Sequence, residues 1–328
     1  MDPSEVIVHL AQKEGKKLRY RPDDHDPVVP FIRVTGKRLG HIQPFNHIGH
    51  DNEARMDFVR HLFTNIIGPS FHTHTPALQG DFNIELHDSY SYLPRGCEEA
   101  LYTGCMTWSK NRTHNHVVLL PDLYQLSNYG NGSLITPDSF SSWSQKPLDK
   151  IGFFGTTTGN RSPLLNQRIQ TCVWARDHKD IVDAYITKVA QMSEQDVVQS
   201  IGVSAFKDIL HDRVSHQDMF KYKFLLDIPG NTASWDRVPL VLQSKSLLFK
   251  MPCSDMTWYY PLLHNNTHYV AVGHNSIESN LKYYLANPKE ANFIIDCANK
   301  FANTFLTGRH ALLYTTALME EAAHNLAA

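Results

Sequence analysis

Residues 221–250, KYKFLLDIPGNTASWDRVPLVLQSKSLLFK, leave few folds open to this chain. They begin with an apolar run over 224–228, too short for a helix and of the length of a buried strand. Pro229-Gly230 breaks the run, and four small residues follow: Asn231, Thr232, Ala233 and Ser234. Asp236 is placed as a helix N-cap, with Pro239 early in the helix, where a missing N–H costs nothing. The spacing predicts a helix over 237–243 and a second strand over 246–249. Strand, glycine loop, helix, strand is one βαβ unit of a parallel sheet. Such sheets bind ligands at the carboxyl ends of their strands, where helix N-termini and Arg237 would favour a phosphate.

A second unit of this kind lies upstream. A strand over 151–154 runs into GTTTGNRSP, with Ser162 as N-cap, Pro163 at the first helical position and a helix over 164–175. Arg161 stands at its mouth as Arg237 does in the other unit. Neither loop matches GxGxxG or GxxxxGK[ST], so dinucleotide and Walker-type readings are weak. Further elements follow: a strand over 180–187, a helix over 204–212, a strand over 267–272, and closing helices over 276–286, 288–306 and 311–324.

The N-terminal half alternates short strands with loops. Helices are expected over 4–13 and 52–67, and strands over 28–34, 101–108 and 116–120. DFNIELHD, residues 81–88, alternates apolar and polar residues and stops at Asp88: a strand with a carboxylate at its end. Residues 124–150 are rich in Ser, Asn, Gly and Pro and read as an interdomain loop. A chain of 328 residues is long for one core, which predicts two domains: 1–149 with the terminal helix at 308–328, and 150–307.

Net charge of −2 gives no basic footprint, so nucleic acid is not an expected partner. Five scattered Cys without CxxC spacing argue against a disulfide framework or zinc ribbon and suit a reducing compartment. Nothing resembles a signal peptide or an apolar span, so a cytoplasmic protein without a membrane span is expected; the four N-glycosylation sequons then read as chance.

The stretch 220–250, with the later WYYPLL and HYVAV, resembles glycosyltransferase family 90, which includes protein O-glucosyltransferases and capsule xylosyltransferases. FFGTTTGNRSP resembles the family's second hallmark and FNIELHDSY its N-terminal strand ending in an acid. The resemblance spans roughly 80–320 and is most specific over 221–272. It implies a GT-B fold: two Rossmann-like domains facing a cleft, the last helix returning to the first domain. It implies inverting transfer of glucose or xylose from a UDP-sugar to a hydroxyl of a glycan or protein, with no metal or other cofactor. Asp88 would match the general base. Gly155, Thr156, Thr157, Thr158 and Arg161 would match one side of the donor site, and Asn231, Thr232, Ala233, Ser234 and Arg237 the other. The ends of the chain, without leader or retention tail, point to a bacterial or viral branch.

The chemistry is consistent with these residue types. Inverting transfer needs one carboxylate to take the acceptor proton, and positive charge to stabilise the departing diphosphate. A rival reading uses the HxH pairs His72-Thr-His74 and His114-Asn-His116, with Asp81, Asp88 or Asp122, as a zinc hydrolase site. A third is a sugar-binding module without turnover.

Overall fold

The computed structural model describes residues 2–17, 31–35, 38–43, 57, 61, 80–84, 105–114, 117–127 and 141–327. The chain divides into two compact units: 1–132 with 254–259 and 305–328, and 133–253 with 260–304.

The first unit opens with helix α1 (Pro3–Gly15), which a capping box of Asp2 and Glu5 starts, with proline in its first turn. Strands β1 (Phe31–Thr35), β2 (Arg38–Gln43), β3 (Gly80–Ile84), β4 (Cys105–Thr107) and β6 (Val118–Leu119) form a mixed sheet in the order β2-β1-β3-β4-β6. Its β1 and β2 are antiparallel, as are β1 and β3, whereas β3, β4 and β6 run parallel. Strand β5 (Lys110–Asn111) leads on to β6, and helix α2 (Leu123–Ser127) follows. Asp122 Oδ1 accepts from the backbone N–H groups of Tyr124 and Gln125, so this aspartate caps α2 within the stretch expected to be loop.

The second unit is a parallel α/β layer. Its elements run β7 (Leu148–Thr156), α3 (Gln167–Ala175), β8 (Val182–Lys188), α4 (Glu194–Ile201), α5 (Val203–Ile209), α6 (His216–Met219), β9 (Tyr222–Asp227), α7 (Arg237–Gln243) and β10 (Leu247–Lys250). The chain then supplies β11 (Asp255–Met256) to the first unit, where it pairs with β5. It contributes β12 (Val270–Ala271), α8 (Ile277–Ala286) and α9 (Pro288–Phe305) to the second, and ends in α10 (Gly308–Ala327). In the first unit α10 lies against α1 so closely that a Cβ on Gly15 would sit 2.8 Å from the Leu318 carbonyl oxygen. Tyr314 of α10 donates to Leu119 O, and its ring lies 4.8 Å from the buried Trp258. The WYY stretch therefore supplies core aromatic rings.

The order β12-β10-β9-β7-β8 is parallel throughout. Helices cover such sheets, which is why β10 is buried at every residue and β7 from Ile151 to Gly155. Phe153, Phe224, Leu226 and Phe249 anchor the core, with Trp143 packed edge-on against Phe224 at 5.8 Å. The chain lays β8 on one side of β7 and β9 on the other. The topological switch point therefore falls between β7 and β9, where parallel sheets leave a crevice beyond their carboxyl ends. A bridge from Leu210 to Ile186 adds an extended segment beyond β8, so α5 ends at Ile209, short of the expected 212. At the amino-terminal ends of the central strands the buried Lys146 donates to the carbonyls of Phe220 and Ser244, and burial pushes its pKa down to about 8.

Candidate functional site

The loops after β7 and β9 meet at the switch point, and Arg168, near the start of α3, joins them. Its Nε and Nη2 donate to Ile228 O at 3.1 and 3.0 Å, on the β9 side. Its Nη1 donates to Thr156 O at 3.2 Å and Thr158 Oγ1 at 2.6 Å, on the β7 side. Gly230 must be glycine here, because a Cβ would lie 2.7 Å from Thr158 Oγ1 and 2.9 Å from Arg168 Nη2. Gly159, at φ +123°, turns the β7 loop back, and its N–H donates to Asn231 Oδ1 at 3.0 Å. The two loops thus form one floor.

Helix α3 starts three residues later than Leu164. Its N-cap is Asn166, not Ser162. Asn166 Oδ1 accepts from Arg168 and Ile169 N–H, and its Nδ2 donates to Thr157 O and Asn160 O. One buried amide caps the helix and fixes the loop before it, a double role that Ser162 cannot fill. Arg168 is carried on the first turn, turned inward with Ile169 and Cys172.

Arg237, half-buried at the start of α7, donates through Nη2 to Phe154 O at 2.5 Å and lies 4.9 Å from the Phe153 ring centroid. Asp236 is the N-cap by position, but its φ of −92° and ψ of −37° are helical and its side chain makes no cap bond. The expected N-cap position at Asp236 is therefore borne out, without a side-chain hydrogen bond.

Beneath Arg237 lies a buried polar network. Asp227, the last residue of β9, is fully buried. Its Oδ1 accepts from Ser234 Oγ at 2.6 Å, and its Oδ2 pairs with Lys250 Nζ at 2.9 Å. Lys250 ends β10, in register with Asp227, and its Nζ stands 5.0 Å from the Tyr260 ring centroid. Burial alone would raise the Asp227 pKa. The Lys250 charge, the Ser234 and Lys250 hydrogen bonds and Arg237 together hold it below the ordinary carboxylate range.

Burial pushes the Arg168 pKa down to about 10, and neighbouring Arg237 pushes the same way, against Asp227 and Asp236. Burial also lowers that of Arg237, again opposed by Asp227 and Asp236. Both guanidinium groups stay protonated at neutral pH. Among the described residues Arg168, Arg237 and Lys250 face only Asp227 inside, with Asp236 exposed, so the described floor carries an excess of positive charge suited to an anion.

The structure sorts the residues expected on one side of this site by what their side chains touch. Thr157 is buried and its hydroxyl both donates to Ala190 O and accepts from Ala190 N–H, tying the loop to the segment after β8. Thr156 Oγ1 donates to Thr158 Oγ1 at 3.2 Å. Arg161 is exposed, with no hydrogen bond or ion pair among the described residues. On the other side Thr232, Ala233 and Ser234 are buried and Asn231 is partly so. Gly155 lies under Arg237, whose Nη2 would be 3.5 Å from an added Cβ.

Asp88, Glu85, His72, His74 and His116 lie outside the described residues, as does the side chain of Asp81. Among the described residues no three His, Cys, Asp or Glu side chains gather as a metal site, and Asp122 is engaged as a helix cap. Arg168, Asp227 and Lys250 are absent from the sequence-based set. Two of them carried a readable signal, since Asp227 interrupts an apolar run and Lys250 follows one directly.

Residues 146–328 match the profile of glycosyl transferase family 90. No curated protein matches the chain. Among solved structures, a GtfA/B complex is similar at 8% identity and a TM-score of 0.32, over 55% of this chain and 37% of that one. The pneumococcal O-GlcNAc transferase GtfA, in complex with UDP and GlcNAc, is similar at 11% identity and a TM-score of 0.34, over 63% of this chain and 40% of that one. This chain spans about two fifths of the length of either. No helix among the described residues is long and apolar enough to cross a membrane.

Proposed function

Since the chain belongs to glycosyl transferase family 90, we propose that it moves glucose or xylose from a UDP-sugar to a hydroxyl of a glycan or protein, with inversion and without a bound metal. The observation that carries this reading is the cationic floor at the switch point, where Arg168 joins two glycine loops and Arg237 stands beside them. A diphosphate placed there lies beside the Arg237 guanidinium and over the charge of the buried Arg168, both held by backbone carbonyls, so neither side chain has to be reorganised as negative charge grows on the leaving group. Asp88 is proposed as the base that takes the acceptor proton. A GT-B arrangement belongs to the same proposal, supported by the parallel sheet of the second unit and the family membership.

The test is a panel of UDP-sugars scored for transfer and for slow donor hydrolysis, with and without EDTA. UDP-glucose or UDP-xylose is expected to be consumed, and EDTA to leave the rate intact. A loss above about tenfold that Mn²⁺ or Mg²⁺ restores would end the metal-free reading.

Arg237→Ala is expected to weaken UDP binding by about 1.5–3 kcal/mol, the worth of a charge-assisted contact. Arg161→Ala should cost less than about 1 kcal/mol, because an exposed charge is screened by water and salt. Calorimetry with UDP on both variants decides it. Unchanged affinity in Arg237→Ala would move the nucleotide off this floor.

A further inference from the structure

A cavity of about 710 Å³ in the second unit is lined by helices α8 and α9 and by Asn266 of the loop before β12. It sits at the amino-terminal end of the parallel sheet. Asn266 precedes β12, which runs parallel to β10, and α8 returns from the carboxyl end of β12 to bring Asn280, Tyr283 and Tyr284 to the cavity. The arginine floor lies at the other end, beyond β7 and β9, so this cavity is no part of the site described above. We propose that it is a binding site for a neutral oligosaccharide, which it holds without transferring sugar. The proposal goes beyond the donor reading and does not depend on it.

Three observations carry it. The first is a pair of aromatic side chains left in water. Phe293 is 60% exposed and Tyr283 47%, and both line this cavity, with the buried Tyr284 and Ile294 behind them. The Tyr283 ring is held in place: its hydroxyl donates to Glu290 Oε2 at 2.8 Å, and its ring meets Tyr284 edge-on at 5.1 Å. A ring fixed before the ligand arrives loses little freedom on binding, and the C–H face of a pyranose is an apolar surface that stacks on it. The second is a polar rim of mixed character. Sugar hydroxyls both donate and accept, and so need both kinds of partner. Asn280 Nδ2 donates to Ser276 O at 2.7 Å, which fixes the amide on its helix while its oxygen can still accept. Asn266, at φ +58°, has its N–H bonded to Tyr269 O at 2.7 Å, so a tied left-handed turn carries a second amide. Glu290 Oε1 adds an acceptor and Lys289 adds donors. The third is charge. Lys289 and Glu290 cancel, so the cavity offers a phosphate or a polyanion no net attraction. Lys and Glu among the rings also set it apart from the core of a protein interface, where both are depleted. Its volume falls within the range of about 300–1,000 Å³ usual for small-ligand sites.

The experiment is calorimetry on the full chain with three uncharged probes: cellohexaose, xylohexaose and mannohexaose. The wild-type protein should bind at least one of them. Phe293→Ala, at an exposed position, should weaken that sugar about tenfold, the scale of one lost aromatic contact. Tyr283→Phe keeps the ring but releases it from Glu290, and should weaken the sugar by a few-fold. Thermal midpoints equal to wild type show that the variants are folded, and UDP affinity should be the same in all three proteins. A wild-type protein that binds none of the three sugars would overturn the proposal. So would undiminished sugar binding in Phe293→Ala combined with Tyr283→Ala, which would place the sugar elsewhere. Loss of UDP affinity in step with sugar affinity would overturn the separation of this cavity from the arginine floor. Self-association that disappears in Phe293→Ala, without sugar binding in the wild type, would make the exposed rings a protein contact instead.

Discussion

Asp88→Asn is expected to lower the turnover rate by about 10²–10⁴, the usual share of a general base, with UDP affinity nearly unchanged. The substitution keeps the shape of the side chain and removes its capacity to accept the acceptor's proton. Attack on the anomeric carbon by a neutral hydroxyl would then have to shed its proton to water. UDP affinity should hold because Asp88 falls in the first unit, whereas Arg168, Arg237 and both glycine loops fall in the second. An Asp88 that only ends a turn would behave differently: stability would fall and activity per folded molecule would survive. Rate and UDP affinity must therefore be measured on one folded preparation. A variant that transfers sugar at close to the wild-type rate would hand the role to another acid, with Glu85 and Asp81 nearest in sequence.

Where the second unit is concerned, elements governed by local chemistry were legible. Helix α7 spans Arg237–Gln243 as expected, because Pro229-Gly230 stops the strand before it and Pro239 tolerates only the first turn of a helix. Strands β7, β9 and β10 overlap the apolar runs that predict them, because a strand covered on both faces reads as an unbroken run. The start of α3 was misplaced because Ser162-Pro163 and Asn166 both satisfy the rules for a cap. Contacts with Thr157 and Asn160 select Asn166, and helix-start spacing does not record them. Contacts distant in sequence decided the rest. Thr157 looks like any other threonine of a phosphate loop until Ala190, 33 residues away, occupies its hydroxyl. Arg168 looks like an ordinary helix arginine until both loops fold over it. Charge at a helix mouth was readable from sequence; which arginine turns inward was set by packing.

Lys250→Met is expected to destabilise the protein by about 3–5 kcal/mol, the usual result of removing one partner of a buried ion pair. The carboxylate of Asp227 has no exposure to water, so without Lys250 it would keep, among the described residues, the Ser234 hydrogen bond and the field of Arg237 against its full burial cost. The sign of the pH dependence follows. In the wild-type protein the Asp227 pKa lies below its unfolded value, so its contribution is present above that value and is lost as pH falls through the folded pKa. In Lys250→Met the burial cost is no longer offset and the folded pKa rises. The variant's deficit should therefore be largest near neutrality and should shrink as pH falls through the carboxylate range. Urea midpoints for both proteins at pH 7 and in mild acid measure this, with about 1.4 kcal/mol expected for each unit by which the Asp227 pKa moves. Asp227→Asn combined with Lys250→Met removes both charges while an amide oxygen can still accept from Ser234, and it should recover much of the loss. A single-variant loss below about 1 kcal/mol, or a deficit independent of pH, would show that Asp227 finds other compensation when Lys250 is gone. A recovered double variant that also keeps UDP affinity would make the pair a support of the floor, leaving phosphate contact to Arg237 above it.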